Sequence, residues 1–155
     1  QMCIRDRMYT VQNLLDKEHI KILKDYWNRN IKNIKHKDGH YNLHNIEILY
    51  GKKSDEEYNK VLLVFDDITT RKADKHYFLN YVENSFARIH NDVTGNQTFV
   101  TLLEQSNNLS GGQTLTGDLQ YIDLKVGQTL IYDHDFKHGV ARVNRGNRKV
   151  FVVWY

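Results

Sequence analysis

The chain has 155 residues, of which 40% are hydrophobic, 26% charged and 12% aromatic, and its formal net charge is +3 at pH 7. This apolar and aromatic content excludes a disordered chain, and the length is that of one domain. No apolar run reaches the roughly 20 residues that a bilayer-spanning helix needs, so we expect no membrane partner, and the small excess of positive charge does not favour nucleic acid.

The first seven residues show neither a helical nor a strand period and are followed by Met8. We interpret residues 1–7 as a non-native leader and residues 8–155 as one domain, with an ordinary frayed terminus as the alternative. The single cysteine, Cys3, cannot form an internal disulfide. This cysteine usage is typical of a reducing compartment, and we expect a cytoplasmic protein.

A first amphipathic helix is predicted after Asp16, whose side chain can cap it. Its apolar residues recur at spacings of three and four: Ile20, Leu23, Trp27 and Ile31. This spacing is one face of a 3.6-residue period.

The next segment is predicted to contain a loop, a short strand and a second helix. Residues 31–44 are polar and interrupted by Asp38-Gly39, which indicates a loop. Ile46, Ile48 and Tyr50 then alternate as a strand does. Ser54 and Glu57 form a capping-box pattern before the helical stripe Tyr58, Val61, Leu62 and Phe65. We therefore expect residues 14–72 to form a mainly helical cover.

From about His76 the apolar period changes from 3.6 to 2. Strands are predicted at residues 77–83, 86–92, 98–104, 113–116, 119–124, 129–133, 138–143 and 148–155, with glycine-containing turns between many of them. Short strands at nearly even spacing predict a β-sandwich or barrel over residues 76–155, covered on one face by the helices.

Three residues stand at metal-ligand spacing. His90 and Asp92 are two apart on a predicted strand, so their side chains should point to one face. His138 opens a later strand, and barrel closure can bring it beside this pair. Two histidines and one carboxylate leave three octahedral positions open, as in non-haem Fe(II) oxygenases. The sequence therefore predicts a ferrous site, with a polar strand end as the alternative.

Arg148 is predicted to point into an apolar interior, because it shares a strand face with Val150, Val152 and Trp154. A buried guanidinium requires an anion, and its planar fork matches a carboxylate.

The position of Arg148 relative to His138 depends on the turn between them. If Arg145-Gly146 is a two-residue hairpin turn, Val143 faces Arg148 and His138 lies about 16 Å away, a gap that a small diacid can bridge.

Several motifs together resemble the Fe(II)- and 2-oxoglutarate-dependent dioxygenases, specifically the prolyl 4-hydroxylase-like branch. They are His90-Asn91-Asp92, Gly111-Gly112-Gln113-Thr114, His138-Gly139, Gly146 and Arg148, in the family's order and spacing over residues 77–155. The resemblance implies a double-stranded β-helix, which is a cupin-like jelly roll, mainly β with N-terminal helices. It further implies that His90, Asp92 and His138 hold iron and that Arg148 pairs the far carboxylate of 2-oxoglutarate.

Three further residues match cosubstrate contacts of the family: Tyr81, Thr114 and Trp154. Each has a structural alternative, since such residues on strands usually belong to the core. The collagen-type prolyl hydroxylases carry lysine at the position of Arg148, which weakens the link to collagen-like substrates.

Some positions depart from the family pattern. Val82-Glu83-Asn84 lacks the glycine that relatives often carry here, and Ala87 replaces an aromatic residue, so we expect a reshaped pocket near His90. By strand parity, Arg88 should share a face with His90. It would then be either a substrate contact or a charge at the mouth of the barrel.

Other histidines offer competing metal sites. His134 stands four residues before His138, but its flanks predict strand and loop, so we assign it to support or solvent. His36, His40 and His44 also follow a spacing of four, yet Asp38-Gly39 interrupts any helix and favours a solvated loop.

The resemblance implies hydroxylation of an unactivated C–H bond, with O₂ as oxidant and succinate and CO₂ as co-products; the family also allows for ascorbate. The expected substrate is a peptide, with peptidyl proline favoured, or a small molecule. The alternative is a non-oxidative cupin-like isomerase or a metal- or ligand-binding protein.

Two groups of basic residues could guide an acidic partner, or form a solvated surface: Lys32, Lys35 and Lys37, and Arg71, Lys72 and Lys75.

Overall fold

The computed structural model describes residues 9–38 and 42–155; the predicted leader, residues 1–7, and His40 lie outside this part of the chain. Its helices are α1 (Lys17–Arg29) and α2 (Glu56–Thr69), and a short 3₁₀ turn covers Ile31–Asn33. In these ranges no helix is both long and apolar enough to cross a membrane. The strands are β1 (Tyr9–Gln12), β2 (Lys35–Lys37), β3 (Leu43–Tyr50), β4 (Lys75–His90), β5 (Gln97–Gln105), β6 (Ser110–Gly111), β7 (Thr114–Thr116), β8 (Tyr121–Ile122), β9 (Thr129–Asp133), β10 (His138–Val140), β11 (Val143–Arg145) and β12 (Arg148–Trp154).

Helix α1 begins where the sequence predicts. The Asp16 side chain accepts a hydrogen bond from the backbone N–H of His19 at 2.8 Å and caps the helix. The helix ends earlier than predicted, because the N–H of Asn30 bonds to the carbonyl of Trp27 and tightens the last turn. Ile31 therefore lies beyond the helix and is 58% exposed, so the prediction that it belongs to the buried stripe is wrong.

Helix α2 begins one residue later than the capping-box pattern predicts. Its N-cap is Asp55, whose carboxylate accepts a hydrogen bond from the N–H of Tyr58 at 3.1 Å, and not Ser54. A carboxylate there also meets the positive end of the helix dipole. The predicted apolar stripe is confirmed, since all of its members are buried: Tyr58, Val61, Leu62 and Phe65.

The strands form a curled antiparallel sheet in the order β1-β9-β5-β12-β4-β10-β7-β8, with β3 beside β4 and β2 beside β3. Strands β6 and β11 make a separate pair. The predicted loop 31–44 thus contains a strand, because β2 pairs with β3 and extends the sheet. The prediction of a jelly roll, mainly β with N-terminal helices, is confirmed.

Strand β4 is one strand of 16 residues and not the two strands predicted. It bends at residues 82–85, where Asn84 takes a left-handed conformation with φ of 73°. The Ser85 hydroxyl accepts a hydrogen bond from the N–H of Val82 at 2.9 Å and donates to the carbonyl of Asn45. The bend lets the first half of β4 pair with β12 and the second half with β10.

The predicted strand 138–143 is divided into β10 and β11, and β11 does not pair with β12. Val143 lies opposite Gly111, whereas Arg148 lies opposite Tyr81 on one side and Gln105 on the other. The predicted hairpin between Val143 and Arg148 is therefore wrong, and the spacing of about 16 Å derived from it does not apply. A left-handed Gly111, with φ of 80°, lets β6 approach β11.

Two apolar clusters lie on opposite faces of the sheet. On one face, the helices pack against residues that include Phe78, Phe99 and Phe151. On the other, Val150 and Val152 join the interior of the barrel. The predicted alternation along β12 is confirmed, and the helices cover one face while the other encloses a cavity.

Candidate metal centre and cosubstrate pocket

A cavity of about 780 Å³ occupies the interior of the barrel. Its walls are mostly apolar, with polar groups at separate positions. All seven of the site residues predicted from sequence line it: Tyr81, His90, Asp92, Thr114, His138, Arg148 and Trp154.

His90, Asp92 and His138 come together in this cavity. One side-chain donor atom from each lies within 4.8 Å of the others. An Asp92 carboxylate oxygen, Oδ1, lies 3.7 Å from His90 Nε2 and 3.4 Å from His138 Nε2, and the two imidazole centroids are 4.5 Å apart. Three donors around one point can hold a small divalent cation and leave other coordination positions open.

The pairing of β10 with β4 brings the two histidines together. His138 lies directly opposite His90, and Val140 lies opposite Ala87. Three residues of β10 (138–140) thus span four of β4 (87–90), so a β-bulge separates Ala87 from His90 and turns both toward the cavity. The parity prediction for Arg88 is therefore wrong: its side chain is exposed, outside the cavity lining.

Asp92 lies just beyond the end of β4, so strand alternation does not orient it as predicted. The Thr98 hydroxyl orients it instead, by donating to Asp92 Oδ2 at 2.6 Å. Burial raises the pKa of Asp92, but hydrogen bonding and charge from His138, with the Thr98 bond, outweigh burial and leave it below its usual value. Asp92 is therefore a carboxylate at neutral pH, with Oδ1 facing the histidines.

The other ring nitrogens of both histidines contact backbone carbonyls. Nδ1 of His90 lies 2.5 Å from the carbonyl of Arg88, and Nδ1 of His138 lies 2.9 Å from that of Phe136. A carbonyl only accepts, so each Nδ1 carries a proton, and Nε2 is the atom that each ring places beside Asp92 and can offer to a cation. Burial lowers the pKa of His90, which favours the neutral, ligating form.

Sequence reasoning missed Thr98 and Tyr132, which lie opposite each other on β5 and β9. The Tyr132 hydroxyl is 3.0 Å from His138 Nε2, and the two ring centroids are 4.3 Å apart. Burial raises the pKa of Tyr132, so its hydroxyl stays protonated and can donate. The alternation of Leu130 and Tyr132 along the predicted strand 129–133 could have indicated an inward tyrosine, but not its partner.

Arg148 is 4% exposed, and its Nη2 donates to the Thr114 hydroxyl at 3.0 Å. Across residues 9–38 and 42–155, no carboxylate lies within 4.0 Å of its guanidinium. Burial lowers the pKa of Arg148, while burial raises that of the neighbouring Tyr81 to about 12. A buried cation on a cavity wall without a protein carboxylate fits an anionic ligand.

Trp154 lines the same cavity but at the opposite end of β12 from Arg148, about 20 Å along the strand. It packs against Tyr77 at a centroid distance of 6.4 Å, and Lys75 Nζ lies 5.1 Å from its ring. The structure therefore brings Tyr81 and Thr114, but not Trp154, to Arg148. The His134 side chain is outside the cavity lining.

No protein-family model and no curated protein sequence matches the chain. Solved structures do match its fold. A Pseudomonas putida prolyl-4-hydroxylase is 15% identical, with a TM-score of 0.78 over 94% of this chain and 90% of that one. A prolyl hydroxylase in complex with a hypoxia inducible factor oxygen degradation domain peptide fragment, from Trichoplax adhaerens, is 14% identical, with a TM-score of 0.75 over 98% and 85%. HygX from Streptomyces hygroscopicus, with nickel, 2-oxoglutarate and hygromycin B bound, is 10% identical, with a TM-score of 0.74 over 99% and 85%.

Proposed function

We propose that this chain is an Fe(II)- and 2-oxoglutarate-dependent dioxygenase of the prolyl 4-hydroxylase-like branch, which hydroxylates an unactivated C–H bond. The observation that carries the proposal is one cavity that holds both the cluster His90, Asp92 and His138 and the buried, carboxylate-free Arg148. The chain has the fold of 2-oxoglutarate oxygenases, prolyl-4-hydroxylases among them, which supports this reaction class.

His90, Asp92 and His138 would hold the ferrous ion. Both imidazoles are fixed in the tautomer that presents Nε2, and Thr98 holds one carboxylate oxygen so that the other faces the imidazoles. Two neutral nitrogens and one carboxylate oxygen suit Fe(II) and leave positions for small ligands. A ferrous ion held there would supply, with 2-oxoglutarate and O₂, oxidative decarboxylation to succinate and CO₂ together with C–H hydroxylation.

Arg148 would bind the far carboxylate of 2-oxoglutarate. Its guanidinium can donate two parallel hydrogen bonds, and Thr114 already fixes its Nη2. The protonated Tyr81 hydroxyl, on the neighbouring strand position, can add a third donor. The apolar walls of this part of the cavity, which include Leu79 and Val150, exclude water and strengthen the ion pair.

The substrate, the accessory reductant and the location are proposed from the resemblance to the prolyl 4-hydroxylase-like branch. A peptide substrate, with proline as the favoured residue, fits a cavity whose rim carries aromatic side chains, and a small molecule is the other candidate. A prolyl hydroxylase of the same fold is in complex with a peptide, which supports a peptide substrate. Ascorbate as an accessory reductant and a cytoplasmic location remain predictions.

The test is formation of succinate. The protein is loaded anaerobically with Fe(II) and 2-oxoglutarate and then exposed to O₂. We expect succinate from the wild type and a fall to background in His90→Ala and Asp92→Ala. His134→Ala is the matched control, because it removes a histidine outside the cavity and should keep wild-type turnover. Equal turnover in all variants would refute the proposal, and the absence of 2-oxoglutarate binding would favour the non-oxidative alternative.

A further inference from the structure

A second, shallower cavity of about 360 Å³ adjoins the interior one. It is lined by residues from the 3₁₀ turn, β2, the end of β3 and the loop that follows: Lys32, Asn33, Ile34, Lys35, Tyr50 and Lys52. We call it the basic groove. Tyr50 lines both cavities, so the groove lies beside the interior cavity.

Aromatic side chains that line the interior cavity continue from the groove. Tyr50 lies opposite Tyr77 in the β3–β4 pair, with ring centroids 6.1 Å apart. Tyr77 in turn packs against Trp154. A chain lying in the groove would therefore pass over these rings before one of its side chains enters the interior cavity.

The charge of the groove is positive. Three lysines line it, all exposed, and no acidic residue does. Lys75 adds a fourth charge at the rim of the interior cavity, which Asp74 offsets in part. Among the described residues, none of these four lysines has a carboxylate within 4.0 Å, whereas Lys21, Lys60 and Lys149 each have one. Within the part of the chain that the structure describes, no carboxylate therefore competes with a ligand for the lysines of the groove.

We propose that the basic groove binds an acidic polypeptide segment, next to the residue that enters the interior cavity. This inference rests on the proposed function for the identity of that residue, but the binding itself does not require turnover. Aspartate or glutamate side chains of the substrate would pair with Lys32, Lys35 and Lys52. The groove therefore selects peptides with acidic residues near the modified position.

The edge of the sheet favours a polypeptide over nucleic acid. Strand β2 pairs with β3 on one side, and within the described residues its other edge has no partner strand. Such an edge offers backbone donors and acceptors that an extended peptide can match and a phosphodiester chain cannot.

Because these lysines are exposed, they should act mainly on the rate of association with the peptide, and their effect should fall as the salt concentration rises. The probe is a fluorescein-labelled decapeptide of alternating Glu and Ala, measured by fluorescence anisotropy with the full chain. A Gln-Ala decapeptide tests the charge, and a single-stranded hexanucleotide with five phosphates tests nucleic acid.

We expect the Glu-Ala peptide to bind about tenfold more tightly than the Gln-Ala peptide at about 20 mM salt, with much of this preference lost at about 150 mM. The triple variant Lys32→Glu, Lys35→Glu, Lys52→Glu should weaken binding about tenfold or more. The control triple variant Lys17→Glu, Lys60→Glu, Lys125→Glu changes the net charge equally on exposed sites elsewhere and should leave binding within about twofold.

Equal affinity for the two peptides, equal loss in both triple variants, or tighter binding of the hexanucleotide would each overturn the inference. Binding of 2-oxoglutarate is measured separately in the same proteins. A chain that binds 2-oxoglutarate without preferring the acidic peptide contradicts the groove alone, and the reverse result contradicts the proposed enzyme alone.

Discussion

His138 lies directly opposite His90 across the antiparallel pair of β10 and β4, with imidazole centroids 4.5 Å apart. The residue after His138 makes this approach feasible. A Cβ atom on Gly139 would lie 2.7 Å from the backbone carbonyl oxygen of Ala87, closer than real Cβ contacts. A glycine therefore sets the distance between the strands that carry the two histidines.

The first prediction concerns this glycine. Gly139→Ala should push β10 away from β4, lower the free energy of unfolding by about 1–3 kcal/mol and weaken metal binding. Chemical denaturation and titration with Mn²⁺ measure the two effects. Gly95→Ala is the control, since its Cβ would meet no atom within 4 Å, although its φ of 90° carries some strain. Wild-type metal affinity in Gly139→Ala would contradict this account.

Arg148 should be needed for the ligand and not for the fold. Arg148→Met removes a buried charge that has no carboxylate partner, so the metal-free protein should be as stable as the wild type or more stable, by up to about 3 kcal/mol. Affinity for 2-oxoglutarate should fall about 100-fold, because two charge-assisted hydrogen bonds are lost. Arg148→Lys keeps the charge but not the planar guanidinium, so its affinity for 2-oxoglutarate should lie between those of the wild type and Arg148→Met. Calorimetry with Mn²⁺-loaded protein measures the affinity, and unchanged binding in Arg148→Met would exclude the assigned role.

Thr98 and Tyr132 should shift metal affinity in opposite directions. Thr98→Val removes the bond that orients Asp92, and the dissociation constant for Co²⁺ should rise about 10- to 100-fold. Tyr132→Phe removes a hydroxyl that competes for His138 Nε2, so binding should tighten by about 2- to 10-fold. Thr101→Val is the matched control, because it removes a buried threonine hydroxyl on the same strand outside the cavity. A shift of the same sign in both site variants would show that the roles are wrong.

His76 should make stability depend on pH. The Tyr58 hydroxyl and His76 Nδ1 share a hydrogen bond of 2.6 Å, and burial, followed by the charge of Lys53, lowers the pKa of His76 from its usual 6.5. The folded state therefore binds fewer protons than the unfolded chain, so this contribution to the free energy of unfolding is present above about pH 6.5 and is lost as pH falls through the lowered pKa.

His76→Gln should reduce the slope of the free energy of unfolding against pH below 6.5, without abolishing it. The pKa values of His90 and Asp92 are also lowered and act with the same sign. Urea denaturation of the metal-free protein at several pH values gives both slopes. Identical slopes in wild type and variant would mean that His76 titrates alike in the folded and unfolded states.

Much of the site could be read from local pattern. The alternation around Arg148 named residues of the cavity wall, because side-chain periodicity is a property of the strand itself. His90, Asp92 and His138 were named by their residue types and spacing, although Asp92 lies beyond the end of β4 and is not oriented by strand periodicity. The helical stripe Tyr58, Val61, Leu62 and Phe65 was also predictable from periodicity, since its spacing reflects one buried helix face.

Tertiary structure alone decided how these residues meet. The bulge between Ala87 and His90 reversed the parity of Arg88, the pairing of β11 with β6 removed the expected hairpin at Arg148, and β5 supplied Thr98 to orient Asp92. Each of these depends on which strand lies beside which, and on register. Sequence periodicity fixes the face on which a side chain lies, but the partner across the sheet is set by contacts between segments far apart in the chain, which no local pattern encodes.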